Sequence, residues 1–214
     1  MTVFSILALG FFLGMRHATD SDHVIAVTTI VSQQRKVGSA ALTGIFWGIG
    51  HSITLLIVGA AIVLFGVVVP ERLGMSLEFC VALMLVLLGL LNLGGFRRSQ
   101  NEAHEHSHRH GFYLRFRPVV VGAVHGLAGS AAVALLVLPM IRNPVWALFY
   151  LLILAAGTIA GMLLITAIIA LPITYSANRF QSFNRYVGAT AGAVSLVFGL
   201  FLVHQIGFVD GLLR

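Results

Sequence analysis

Apolar residues run in long blocks broken by short polar stretches, at roughly 3–31, 39–68, 76–96, 118–141, 145–171 and 186–208. A helix crosses the hydrocarbon core of a bilayer with about 20 apolar residues, so each block predicts a membrane-spanning helix. Positions 37–69 and 143–178 hold no Asp, Glu, Lys or Arg, which makes the second and fifth blocks the plainest spans. The first is the least regular. The expected fold is an all-α integral membrane protein of about six transmembrane helices, without a separate soluble module.

Composition agrees with the pattern. The chain has 214 residues, of which 58% are hydrophobic and 9% charged, and a mean hydropathy of +0.98, far from the quarter-charged average of soluble domains. Thirteen Lys and Arg against seven Asp and Glu would point to nucleic acid on a soluble domain, but here the bases lie between apolar runs. Arg35 and Lys36, then Arg97, Arg98, Arg109, Arg115 and Arg117, then Arg179 and Arg185 fall in alternate loops. The positive-inside rule makes these odd loops cytoplasmic and puts both termini outside. Met1 to Met15 carry no base and Arg16 follows the apolar stretch, the reverse of a cleavable signal. Cys80, the single cysteine, excludes an intrachain disulfide and paired-thiol chemistry, and is expected as a small buried hydrophobe.

An internal echo divides the chain. Gly14-Met15-Arg16-His17 aligns with Gly122-Ala123-Val124-His125, and weaker echoes pair Gly50-His51-Ser52 with Ala156-Gly157-Thr158 and Gly89-Leu90-Leu91 with Gly199-Leu200-Phe201. Three spans is an odd number, so residues 1–96 and 118–214 form a 3+3 inverted repeat joined by a loop over 97–117. Secondary transporters use this plan and bind substrate near the midplane on interrupted helices.

One stretch contradicts its surroundings. Arg16-His17-Ala18-Thr19-Asp20-Ser21-Asp22-His23 sets a base, two histidines and two carboxylates inside the first span, where each Asp or Arg costs about 2.5–3.5 kcal/mol even on lenient insertion scales. Either the span ends at Met15 and the cluster caps an interfacial helix, or the cluster faces protein, water or a bound ion. On a regular helix His17, Asp20 and Ser21 share a face, while Asp22 and His23 lie about 140° and 240° round from His17. A common ion therefore requires the helix to be interrupted. Imidazole and carboxylate together suit nickel, cobalt, zinc, copper or iron(II) better than calcium or magnesium. Metal candidates elsewhere are His51 in mid-span two, Asn92 near the end of span three and His125 in span four. His204 reads as an interfacial residue. Between spans three and four, His104, His106, His108 and His110 alternate in a charged loop, a pattern that captures divalent metal through neutral imidazole.

These motifs resemble a family. Leu13 to Val24, with its core of His17, four residues, then Asp22-His23, resembles the signature of the nickel/cobalt transporter superfamily. Gly50-His51-Ser52 and Gly89 to Asn92 are similar to its second and third motifs, and His125 to Ser130 resembles its six-span, urease-accessory-like membrane branch. The resemblance covers spans one to four. It implies movement of nickel or cobalt across an inner membrane, with His17, Asp22 and His23 as principal metal residues and His51 in support. No nucleotide-binding motif or catalytic triad is present, so the expected activity is that of a secondary permease rather than an enzyme. Three rivals remain: an exporter, a membrane sensor or accessory protein that serves a metallochaperone of urease or hydrogenase maturation, and a metal-dependent hydrolase using Glu78. No cofactor is expected beyond the moved or bound metal ion; the surroundings are lipid, with no nucleic acid.

Overall fold

The computed structural model describes residues 3–32, 34, 36–67, 70–98, 111–128, 141, 143–179 and 181–213. Every regular element among them is helical: α1 (Val3–His17), α2 (Ser21–Val31), α3 (Val37–Phe65), α4 (Glu71–Arg98), α5 (Gly111–Ala128), α6 (Pro144–Arg179), α7 (Gln181–His204) and a π-helical turn over Gln205–Val209. Four segments are long and apolar enough to cross a membrane: Val37–Phe65, Glu71–Gly95, Pro144–Ser176 and Tyr186–Val209. The first apolar block is two helices of 15 and 11 residues. The fourth is described only as far as Ala128; its remainder, and the loop holding His104 to His110, lie outside the described residues.

The helix ends follow local chemistry. Gly66 stops α3 in the left-handed conformation, φ +61°, with its N–H donated to the Ile62 carbonyl; a side chain there would be strained. Asn143 caps α6 by accepting the Val145 N–H at 2.9 Å, and Pro144 occupies the first helical position, where no N–H is needed. The connection expected between spans five and six is almost wholly helical, since α6 runs to Arg179 and α7 begins at Gln181. Hydrophobicity marks where a helix leaves the hydrocarbon, whereas the backbone ladder continues until a cap ends it. Arg115 and Arg117 are likewise on α5 rather than in a loop. Cys80 corrects another expectation: it is exposed on α4, because a spanning helix keeps apolar side chains on its outer face as well.

α3 packs between α5 and α6, α1 packs on α6, and α4 pairs with α7. Glycines set the closest approaches: a Cβ at Gly14 would strike the Leu154 carbonyl, and one at Gly122 the Trp47 carbonyl. Small residues substitute here for the hydrophobic drive that helices in lipid lack. The short helix α2 lies among α4, α6 and α7.

Candidate metal centre

The break in the first apolar block occurs at its polar residues. The α1 ladder closes with the Thr19 N–H on the Arg16 carbonyl and the Asp20 N–H on that of His17. Asp20 is extended, with ψ 146°, and α2 starts immediately after it. No Gly or Pro lies in the break; short polar side chains compete for the backbone instead, and the Thr19 hydroxyl donates to the Arg16 carbonyl at 2.6 Å. The C-terminus of α1 and the N-terminus of α2 thus meet, carrying His17 and Asp22-His23 toward α3 and α5.

Four imidazoles converge there, with His17 6%, His23 1%, His51 0% and His125 1% exposed. His17 donates Nδ1–H to Asp20 at 2.7 Å and places Nε2 3.2 Å from His51 Nε2. Asp22 Oδ1 accepts the His23 backbone N–H at 2.9 Å and its Nδ1–H at 3.1 Å, while Oδ2 accepts His125 Nε2–H at 2.8 Å. The rings of His23 and His125 lie 4.3 Å apart, and those of His17 and His23 4.8 Å. One carboxylate therefore fixes the His17 tautomer from outside the group, and the other ties α2 to α5.

Two ligand triads result, His17–His23–His51 and Asp22–His23–His125, each with its donor atoms within 4.8 Å of one another. Two imidazole nitrogens bound at about 2.0–2.1 Å to one ion stand 3.2 Å apart when their angle at the metal is about 100°. His23 Nε2, His51 Nδ1 and His125 Nδ1 are buried without a hydrogen-bond partner among the described residues, a costly condition that coordination of an ion relieves at His23 Nε2, whose other ring nitrogen is on Asp22.

The structure brings together His17, Asp20, Asp22, His23, His51 and His125. It leaves Asn92 apart: its amide donates to the Gly188 carbonyl at 3.0 Å and to the Thr29 carbonyl and Ser32 hydroxyl at 3.3 Å, joining α2, α4 and α7. His204 is exposed at the end of α7 beside Phe208. Trp47 is the neighbour that the sequence reading passed over. Fully buried, its ring lies 6.4 Å from that of His23 and 5.7 Å from that of His125. Its position four residues before His51 was the available signal, since such pairs share a helix face.

No family model and no solved structure matches the chain. Among curated proteins, 38% identity over a 218-residue alignment links 98% of this chain to 95% of the urease accessory protein UreH of Bacillus sp. (strain TB-90). The chain belongs to the UreH family. A second similarity, 28% identity over 114 residues, links 50% of this UreH-family chain to 32% of the high-affinity nickel transport protein of Cupriavidus necator. With its apolar helices of spanning length, this member of the UreH family is a multi-pass membrane protein. It is not an enzyme; its relatives are an accessory protein and a transport protein.

Proposed function

We propose that the protein is a secondary permease for a divalent transition-metal ion, nickel or cobalt, across a bacterial-type inner membrane. The observation that carries this reading is the burial of four imidazoles, with the half-buried Asp22 carboxylate beside them, where a broken helix meets α3 and α5. A buried cluster of imidazole nitrogens suits a borderline metal ion, and a helix interruption is where transporters bind cargo. His17, His23, His51, Asp22 and His125 act as ligands, and Asp20 orients His17. His104, His106, His108 and His110 serve as a capture loop.

Reciprocal packing supports two inverted halves. Gly14 meets Leu154 as Gly122 meets Trp47; Gly157 meets Phe11 as Gly50 meets Val119; Gly89 meets Gly192 and Leu196 as Gly199 meets Ala82 and Val86. A shift of 107 to 110 positions carries each contact onto its partner. Under that exchange α1 on α6 becomes α5 on α3, which is the expectation for a two-fold axis in the membrane plane. The six-span count, cytoplasmic odd loops and external termini belong to the same proposal, as does the pairing of 1–96 with 118–214.

The test is nickel and cobalt flux into liposomes holding the purified protein, with zinc and manganese as controls, beside His17→Ala, Asp22→Ala and His23→Ala. Flux in the wild type that each folded variant loses is the expected result. The name of the Bacillus relative favours a second reading, a non-transporting accessory protein for urease maturation. Metal bound by the wild type without flux would select it.

A further inference from the structure

Beyond the histidine cluster, a second polar region lies toward the odd loops. A cavity of about 270 Å³ is lined on α2, α3, α4 and α5, with Thr29, Gln34, Thr43, Asn92 and Arg117 as its polar walls. Gln34 donates its amide N–H to Thr43 at 2.7 Å, and its carbonyl oxygen is buried with no partner among the described residues. A space of this size, with Thr29, Thr43, Asn92 and Arg117 on its walls beside Ile30, Leu88 and Leu91, has both the room and the polar partners for water. Among the described residues its lining includes no imidazole, thiol or carboxylate, and Arg117 adds positive charge, so it offers a metal ion no ligand to settle on.

Helix register relates this cavity to the cluster. Along α3, Thr43, Trp47 and His51 follow at intervals of four residues; along α5, Arg117, Val121 and His125 do the same; along α2, His23 and Val27 precede Ile30. Each interval is about one helical turn, roughly 6 Å for four residues and 4.5 Å for the three from Val27 to Ile30. Three layers follow: ligands, then Val27, Trp47 and Val121, then the cavity wall. The middle layer is 1%, 0% and 8% exposed, and its members belong to one apolar core. The side-chain-free position of Gly122 admits the Trp47 ring.

We infer that the cavity is an aqueous vestibule on the path of the hydrated divalent cation, and that the Val27–Trp47–Val121 layer is the gate separating it from the ligands. The inference rests on the permease reading. An apolar constriction excludes an ion because it excludes the ion's water, and the layer is one turn thick, so displacement of one indole joins the two polar regions. Trp47 contacts the rings of both His23 and His125, which couples gate position to ligand position.

Thiol labelling tests this without relying on transport. In full-length Cys80→Ser protein in liposomes, Thr43→Cys is expected to react with a hydrophilic, charged thiol reagent at least about 100-fold faster than His51→Cys, because the thiolate attacks only where water reaches it. Ile57→Cys, on the exposed apolar face, is the unreactive control. Adding Trp47→Ala brings the His51→Cys rate to within about 10-fold of Thr43→Cys, whereas Trp47→Phe leaves it slow. Val121→Ala provides an independent opening should Trp47→Ala fail to fold. A Thr43→Cys rate no faster than the Ile57→Cys control overturns the vestibule. A His51→Cys rate unchanged by folded Trp47→Ala or Val121→Ala overturns the gate. Absence of nickel flux in the wild type, with labelling as expected, removes the transport reading while the gated access to the ligands stands.

Discussion

The two proposed halves pack alike and are equipped differently. On the proposed two-half arrangement, His17 corresponds to His125, each three residues after a glycine that seats one helix backbone on another. Two helices further, His51 stands in the first half where the second has Thr158, whose hydroxyl donates within its own helix to the Leu154 carbonyl at 3.0 Å. Asp20, Asp22 and His23, which follow the first Gly-x-x-His, have no acidic or imidazole counterparts after the second; Ala128, Ser130 and Ala131 stand there. Packing therefore draws on both halves, whereas the candidate ligands concentrate in the first and meet the second at His125, through the Asp22–His125 bond of 2.8 Å and the His23 ring 4.3 Å away. A scaffold tolerates duplication because helix contacts depend on size. A metal site needs its donors around one point, so one half supplies most of them.

The largest break of this contrast should come from the first half. His51→Ala is expected to weaken Co²⁺ binding to the detergent-solubilised protein by about 100-fold or more, equivalent to about 2.7 kcal/mol, while Thr158→Val changes it by less than about threefold. Calorimetric titration distinguishes the two. Next comes the scaffold: Gly14→Val and Gly122→Val each force a side chain into a helix backbone, and both should lower stability by about 1–3 kcal/mol or more, read as a fall in the thermal unfolding midpoint. A loss confined to one of them would undo the equivalence of the halves. Asp20→Asn, which weakens the orientation of His17 from outside the ligand set, should cost about 10-fold in metal affinity. The smallest expected effect on binding is at Asn92: replacing it by Ala leaves affinity within about threefold and lowers stability by about 1 kcal/mol, because its amide holds backbone and hydroxyl oxygens rather than the ion. A large loss of affinity at Asn92 would place it in the metal centre after all.

Much of the site was legible in the order of residues. An apolar block interrupted by His17, Asp20, Asp22 and His23 is costly in lipid, and the mismatch of those positions on one helix required a break if they were to share one ion. His51 stood out because an imidazole without local charge needs a partner elsewhere. Asn92 stood out for the same reason: a polar side chain in a span announces a need for a partner but not its kind, and here its partners include the Gly188 and Thr29 carbonyls and the Ser32 hydroxyl. Helix ends were less legible than helix existence, since α6 and α7 continue past their apolar blocks.

Hydrophobic patterning alone determined that this protein is helical and meets lipid, and where its costly polar residues lie, because burial in hydrocarbon penalises each of those features locally. Tertiary structure decided which of them share a point. It set His17 Nε2 against His51 Nε2 and Asp22 against His125 from helices far apart in the chain, and it laid the Trp47 ring beside those of His23 and His125. Those relations depend on how closely glycine-lined helices approach and in what register, and such distances appear only when the backbones are in contact.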